Sequence, residues 1–162
     1  MSNLTTPHVP DSTTEGAPPL HALLSNLSGL IRHARQHALR AVDVLQVQTC
    51  WEIGRHLVEF EQGGTSRAAY GARLLPTLAQ SLTAEFGKGF DASNLRYMRL
   101  FFNAFPIRDA VRHELSWTHY RLLSKVENER ARLFYIDEAI QSQWGTRTLE
   151  RQIHSFYYER LL

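Results

Sequence analysis

Three side chains between Ala92 and Phe105 carry the clearest chemical suggestion in this 162-residue chain. Arg96, Arg99 and Asn103 fall within about 60° of one another on a helical wheel that advances roughly 100° per residue. Leu95, Met98, Phe102 and Phe105 take a different side. Arginine contacts phosphates or guanine edges, and asparagine can read adenine, so such a stripe suits a nucleic-acid surface. A solvated charged face fits the same spacing. Tyr97 and Leu100 are less expected on an open surface, and an additional packing contact would account for them. Lys88, Arg108 and Arg112 flank the stripe in sequence and are expected on neighbouring phosphates.

Other reactive side chains form no comparable constellation. His33 and His37 are four residues apart on a helical pattern, the spacing of a shared metal, but no third ligand stands at a recognisable distance. Surface histidines are the simpler reading. His119 lies between Trp117 and Tyr120, without an indicated Ser, Cys or carboxylate partner for nucleophilic or acid–base work. A hydrogen-bonded histidine in an aromatic cluster is expected there. Glu85 and Lys88 are one residue too far apart for the Glu-x-Lys element of a metal-dependent nuclease, and they sit at a helix end. There is no phosphate-binding loop, dinucleotide fingerprint or His-Glu-x-x-His motif. The expectation is a protein that is not an enzyme and has no metal, cofactor or small-molecule substrate.

The charge distribution supports a polyanion-facing patch. Overall net charge is only +2. Residues 86 to 125, however, hold seven basic side chains (Lys88, Arg96, Arg99, Arg108, Arg112, Arg121, Lys125) against Asp91, Asp109 and Glu114, a local +4. The segments on either side each come to −1. Sixteen of the 18 basic residues are arginine, the better side chain for planar contacts to phosphate. A genome rich in arginine codons explains that ratio equally well. With 43% hydrophobic residues the chain can bury a core. Cys50 is the lone cysteine, which rules out a disulfide framework and fits a reducing compartment. No apolar run approaches a membrane span and no signal-peptide pattern opens the chain, so a soluble, cytoplasmic protein is expected.

These side chains need elements to hold them, and the pattern is all-α. Residues 1–19 contain four prolines with Ser, Thr and Asn, and are expected to form a disordered leader. From Leu20, the residues Leu20, Leu24, Leu27, Ile31, Ala34, Ala38, Ala41 and Leu45 recur in four-three steps, a coiled-coil-like seam. After Gln48 the stripe shifts to Val47, Trp51, Gly54 and Val58, as in one long helix with a rotating face or two with a kink. The seam suits intramolecular packing, a homodimer or a partner protein. The run Gln62–Ser66 breaks the helix. The next is expected from Ala68 or Arg73 to Phe86, with Pro76 in its first turn or at a kink. Gly87, Lys88 and Gly89 then form a turn into a helix capped by Asp91 and stopped by Pro106, a helix-turn-helix-like pair. Ser116 caps a helix to Lys125, Asn128 one to Gln143, and Thr146 one to the C-terminus. No strand signal is present. Residues 20–162 read as a single helical domain, a long first helix followed by a bundle of shorter ones.

The stretches IRHARQHALRAV, WEIGRHLVEFEQ, AAYGARLL, LTAEFGKGFDASNLRYMRLFFNAFP, ELSWTHYRLLSKVEN and LERQIHSFYYERLL, in this order, resemble the N-terminal domain of the YhcG family of bacterial proteins. The resemblance covers about Leu24 to Leu162. It implies a helical module that usually precedes a PD-(D/E)xK nuclease domain, is regarded as DNA-binding or interaction-mediating, and occurs near mobile elements and defence loci. The sequence stops at Leu162, where the nuclease half would begin, so its catalytic Asp, Glu and Lys have no counterparts. A truncated frame or a standalone module is expected, with nuclease association but no nuclease activity. Two readings follow: a non-catalytic DNA-binding module, or an interaction and oligomerisation module using Leu20 to Leu45.

Overall fold

The computed structural model describes residues 19–63 and 70–162, and among them every regular element is helical. Residues 1–18 of the expected leader lie outside the described residues, as does Ala68, whereas Pro19 is the first residue of α1. Among the described residues six α-helices have these bounds: α1 Pro19–Gln62, α2 Leu74–Phe86, α3 Ala92–Ala104, α4 Trp117–Leu123, α5 Glu129–Gln141 and α6 Thr146–His154. Short 3-10 turns occupy Gly71–Arg73, Arg108–Ala110 and Glu159–Leu161. Contacts divide the chain into two compact units, Met1–Leu39 and Arg40–Leu162.

In the first unit the described residues are the α1 stretch from Pro19 to Leu39, and every one of them is exposed. The second unit holds the core. Its part of α1 buries Val47, Cys50, Trp51, Gly54 and Leu57. Leu57 takes the place expected of Val58, which is half-buried. Leu57 follows Cys50 by seven residues, about two turns, so it lies nearly over the same line of the helix. The remaining helices pack in neighbouring pairs, α2 on α3, α3 on α4, and α4 on α5 and α6. Tyr120, Tyr135, Phe101, Leu95, Leu123 and Leu149 are the largest fully enclosed side chains.

Local chemistry explains most boundaries. Pro76 falls in the first turn of α2, where a missing N–H removes no helical bond. Gly87 and Gly89 have φ of 84° and 103°, a region that side-chain-bearing residues rarely adopt. The Asp91 carboxylate accepts the Asn94 N–H at 2.9 Å and starts α3. Asn128 likewise accepts the N–H groups of Arg130 and Ala131. Two helices end earlier than their apolar pattern. α5 stops at Gln141 because Gln143 (φ 50°) turns left-handed, with Trp144 N–H donating to Ala139 O and Gln143 N–H to Ile140 O. α6 stops at His154 through the same motif at Phe156 (φ 54°), with bonds from Tyr157 to Gln152 and from Phe156 to Ile153. Both are Schellman caps built without glycine, so the usual stop signal is missing. Thr146 proves to be the first residue of α6, with Gly145 in the capping position.

Candidate nucleic-acid interface

α3 is contacted by α1, α2, α4 and α5. From α1, the indole N–H of Trp51 donates to Phe105 O at 2.7 Å, and the Trp51 ring meets Phe102 edge-on at 5.2 Å. Gly54 lets the two backbones approach so closely that a Cβ there would stand 2.1 Å from Met98 O. From α4, Trp117 and Tyr120 pack on Phe101 at 5.4 and 4.9 Å. The Trp117 N–H reaches Asn94 Oδ1 at 3.2 Å, and the Asn94 amide donates in turn to Gly89 O. Arg132 of α5 donates to Ala104 O at 2.9 Å and to Val126 O at 2.8 and 3.0 Å, tying the end of α3 to the loop before α5.

These contacts leave one open stripe on α3, consisting of Ser93, Arg96, Leu100 and Asn103 at three-four-three spacing. Arg96 and Asn103 are exposed and make no hydrogen bond or ion pair with a described residue. Leu100, 37% exposed, lies between them. Arg99 lies off the stripe. Its guanidinium is half-buried and bonded to Glu61 of α1 at 2.7 Å. Lys88 is exposed in the glycine turn before α3. Arg108 and Arg112 follow the other end of that helix, each 3.8 Å from a carboxylate, Glu52 and Asp137 respectively, and each more than half exposed. Separations of that length in water carry little energy.

A second cationic feature escapes sequence reading. Tyr97 borders the open stripe and is half-buried. The Arg121 guanidinium and the Lys125 ammonium sit 4.4 and 4.8 Å from its ring centroid. Lys125 beside the phenol, with Arg121 as a second cation, holds the Tyr97 hydroxyl below the ordinary tyrosine range. Neither cation has a carboxylate partner among the described residues. The signal was the run of basic residues itself; its convergence on one ring is tertiary.

His119 serves structure. His119 Nδ1 accepts the Ser116 backbone N–H at 3.2 Å while the His119 backbone N–H donates to Ser116 Oγ at 3.4 Å, a capping box with histidine in the place of glutamate. Its other nitrogen, Nε2, lies 2.8 Å from Trp144 O and donates to it, which leaves Nδ1 as the acceptor. The rings of His33 and His37 lie 6.3 Å apart. Among the described residues no group of three His, Cys, Asp or Glu could hold a metal ion. No described helix is long and apolar enough to cross a membrane.

The all-helical fold around α3 and the six ordered sequence blocks define the class. Residues 26–160 match the DUF1016 N-terminal domain, and the chain belongs to that family. It is also similar to an Escherichia coli (strain K12) protein named "Putative nuclease YhcG", with 37% identity over 185 aligned positions. That alignment covers 94% of this chain and 48% of the relative, so the chain spans about half the length of the curated protein it matches. No solved structure matches it.

Proposed function

We propose that the Arg40–Leu162 unit is a non-catalytic DNA-binding module of a nuclease-associated protein. The observation that carries this reading is the concentration of unpaired positive charge along one side of α3. Arg96 stands beside the Tyr97–Arg121–Lys125 cluster, Lys88 precedes the helix, and none of these four cations has an acidic partner among the described residues. Holding two cations over one ring costs Coulomb energy that a phosphate would relieve. Asn103 lies on the same stripe as Arg96 and is the candidate for a base edge. Arg108 and Arg112, loosely paired, can exchange their carboxylates for phosphates. Arg99 acts mainly in holding α3 to α1. The relative's name gives a nuclease context, which suits a module that brings its protein to DNA.

Binding through phosphate neutralisation is salt-sensitive, with log K falling by about 0.9 per neutralised phosphate for each unit of log salt. Arg96→Ala combined with Lys125→Ala is expected to weaken duplex binding at low salt by at least about tenfold and to lower the salt slope by about two. Far-UV circular dichroism should not change, since both side chains are exposed. Equal affinities and slopes for the wild type and the double variant in a fluorescence titration eliminate this surface.

A further inference from the structure

The stretch of α1 from Leu20 to Leu39 belongs to the first unit and is exposed at every residue. Leu20, Leu23, Leu24, Leu27, Leu30 and Ile31 are each between 45% and 69% open. A helix of this length with no packed face is marginal in water, because most helical stability in proteins comes from burying the apolar stripe. The four-three spacing of Leu20, Leu24, Leu27, Ile31, Ala34 and Ala38 is that of a helix paired with another helix. We infer that this face is covered by the same face of a second copy of the chain, forming a homodimer.

The seam is complementary to itself. With two copies set antiparallel about a point midway between Leu27 and Ile31, Leu20 opposes Ala38, Leu24 opposes Ala34 and Leu27 opposes Ile31. The large residues thus meet small ones at the ends and one another at the centre, so every layer of the contact holds at least one large apolar side chain. Charge permits the pairing. Arg32 and Arg40 project more than 100° from the seam at about 100° per residue. Arg35, on its flank, opposes His21 of the other copy and not a second arginine. Burying six large side chains on each copy along about 28 Å of helix removes on the order of 1,200 Å² from water, the lower bound for a stable interface. An acidic partner helix or an anionic membrane could use the same basic, amphipathic stretch, and the experiment separates them from a second copy.

Sedimentation equilibrium of the full chain at tens of micromolar should give about twice 18.6 kDa. Leu24→Glu with Ile31→Glu, and independently Ala38→Glu, should return the 18.6 kDa species with the near-UV tryptophan signal retained. Gln36→Glu, on the opposite side of the helix, should leave the dimer intact. A wild-type chain that sediments as a monomer overturns the inference, including one that pellets with phosphatidylserine vesicles. So does a dimer that survives the seam variants. Loss of DNA binding in the Arg96 and Lys125 variant has no bearing on the sedimentation result, so the two readings fail separately.

Discussion

Arg96 and Arg99 lie less than one turn apart on α3 and meet different surroundings. A helical wheel places both on one face, but it cannot show Glu61, 38 residues earlier, reaching Arg99 across the α1–α3 contact at 2.7 Å. Arg99→Ala should therefore lower stability by about 0.5–1 kcal/mol, the range of a partly exposed ion pair, as read from the urea midpoint. Its effect on DNA affinity should be smaller than that of Arg96→Ala. The candidate site was thus legible as a basic helix, while Arg121 and Lys125 were not, because their meeting at Tyr97 depends on how α4 packs. Cys50 belongs to the same scale. Burial pushes its thiol up to about 12, far above its unfolded value near 8.5. In native protein it should stay unmodified by a disulfide reagent at pH 8 and react only as the fold opens. The raised value also fixes a sign: the contribution is fully present below about pH 8.5, and above that the unfolded chain loses a proton that the folded chain keeps. Stability should decline by up to about 1.4 kcal/mol per pH unit on that limb, and Cys50→Ala should flatten the slope by this share.

Among the elements, α1 and α3 are related through a glycine. Gly54 is needed because any Cβ there meets Met98 O and C at 2.1 and 2.8 Å, backbone atoms that cannot swing aside. Gly29, on the exposed part of the same helix, has nothing within 4 Å of the equivalent position. Opposite outcomes are expected from one substitution. Gly54→Ala should destabilise the fold by about 1–3 kcal/mol through overpacking. Gly29→Ala should raise helicity, worth up to about 1 kcal/mol of local propensity. A pair of thermal melts checks both, and equal shifts would contradict the close approach. Helix starts were readable because Asp91, Ser116 and Asn128 carry their own capping oxygens. The ends of α5 and α6 were not, since Gln143 and Phe156 adopt left-handed backbones usually left to glycine. Phe101, wholly buried, also fell outside the expected apolar side of α3. That helix is covered from both α1 and α4, so its buried arc is wider than a single face.

For the molecule as a whole, the division at Leu39 and Arg40 has an energetic counterpart. Every buried residue of the described chain, from Val47 to Leu149, lies in the second unit. All three tryptophans, Trp51, Trp117 and Trp144, lie there too. The first unit contributes described residues only as exposed helix, so its removal withdraws little buried apolar area. A chain beginning at Arg40 should therefore keep its near-UV spectrum and unfold in urea within about 0.5 kcal/mol of the full-length protein at concentrations low enough to keep the latter monomeric, the spread of changes away from a core. It should retain salt-dependent DNA binding, because the proposed contacts all lie in the second unit. If the full chain pairs through its first unit, the shortened one should also lose any concentration dependence of its melting temperature, since dimer formation stabilises by mass action. Unfolding of the shortened chain at room temperature would show that the core depends on residues before Arg40, and the two units would then have to be regarded as one.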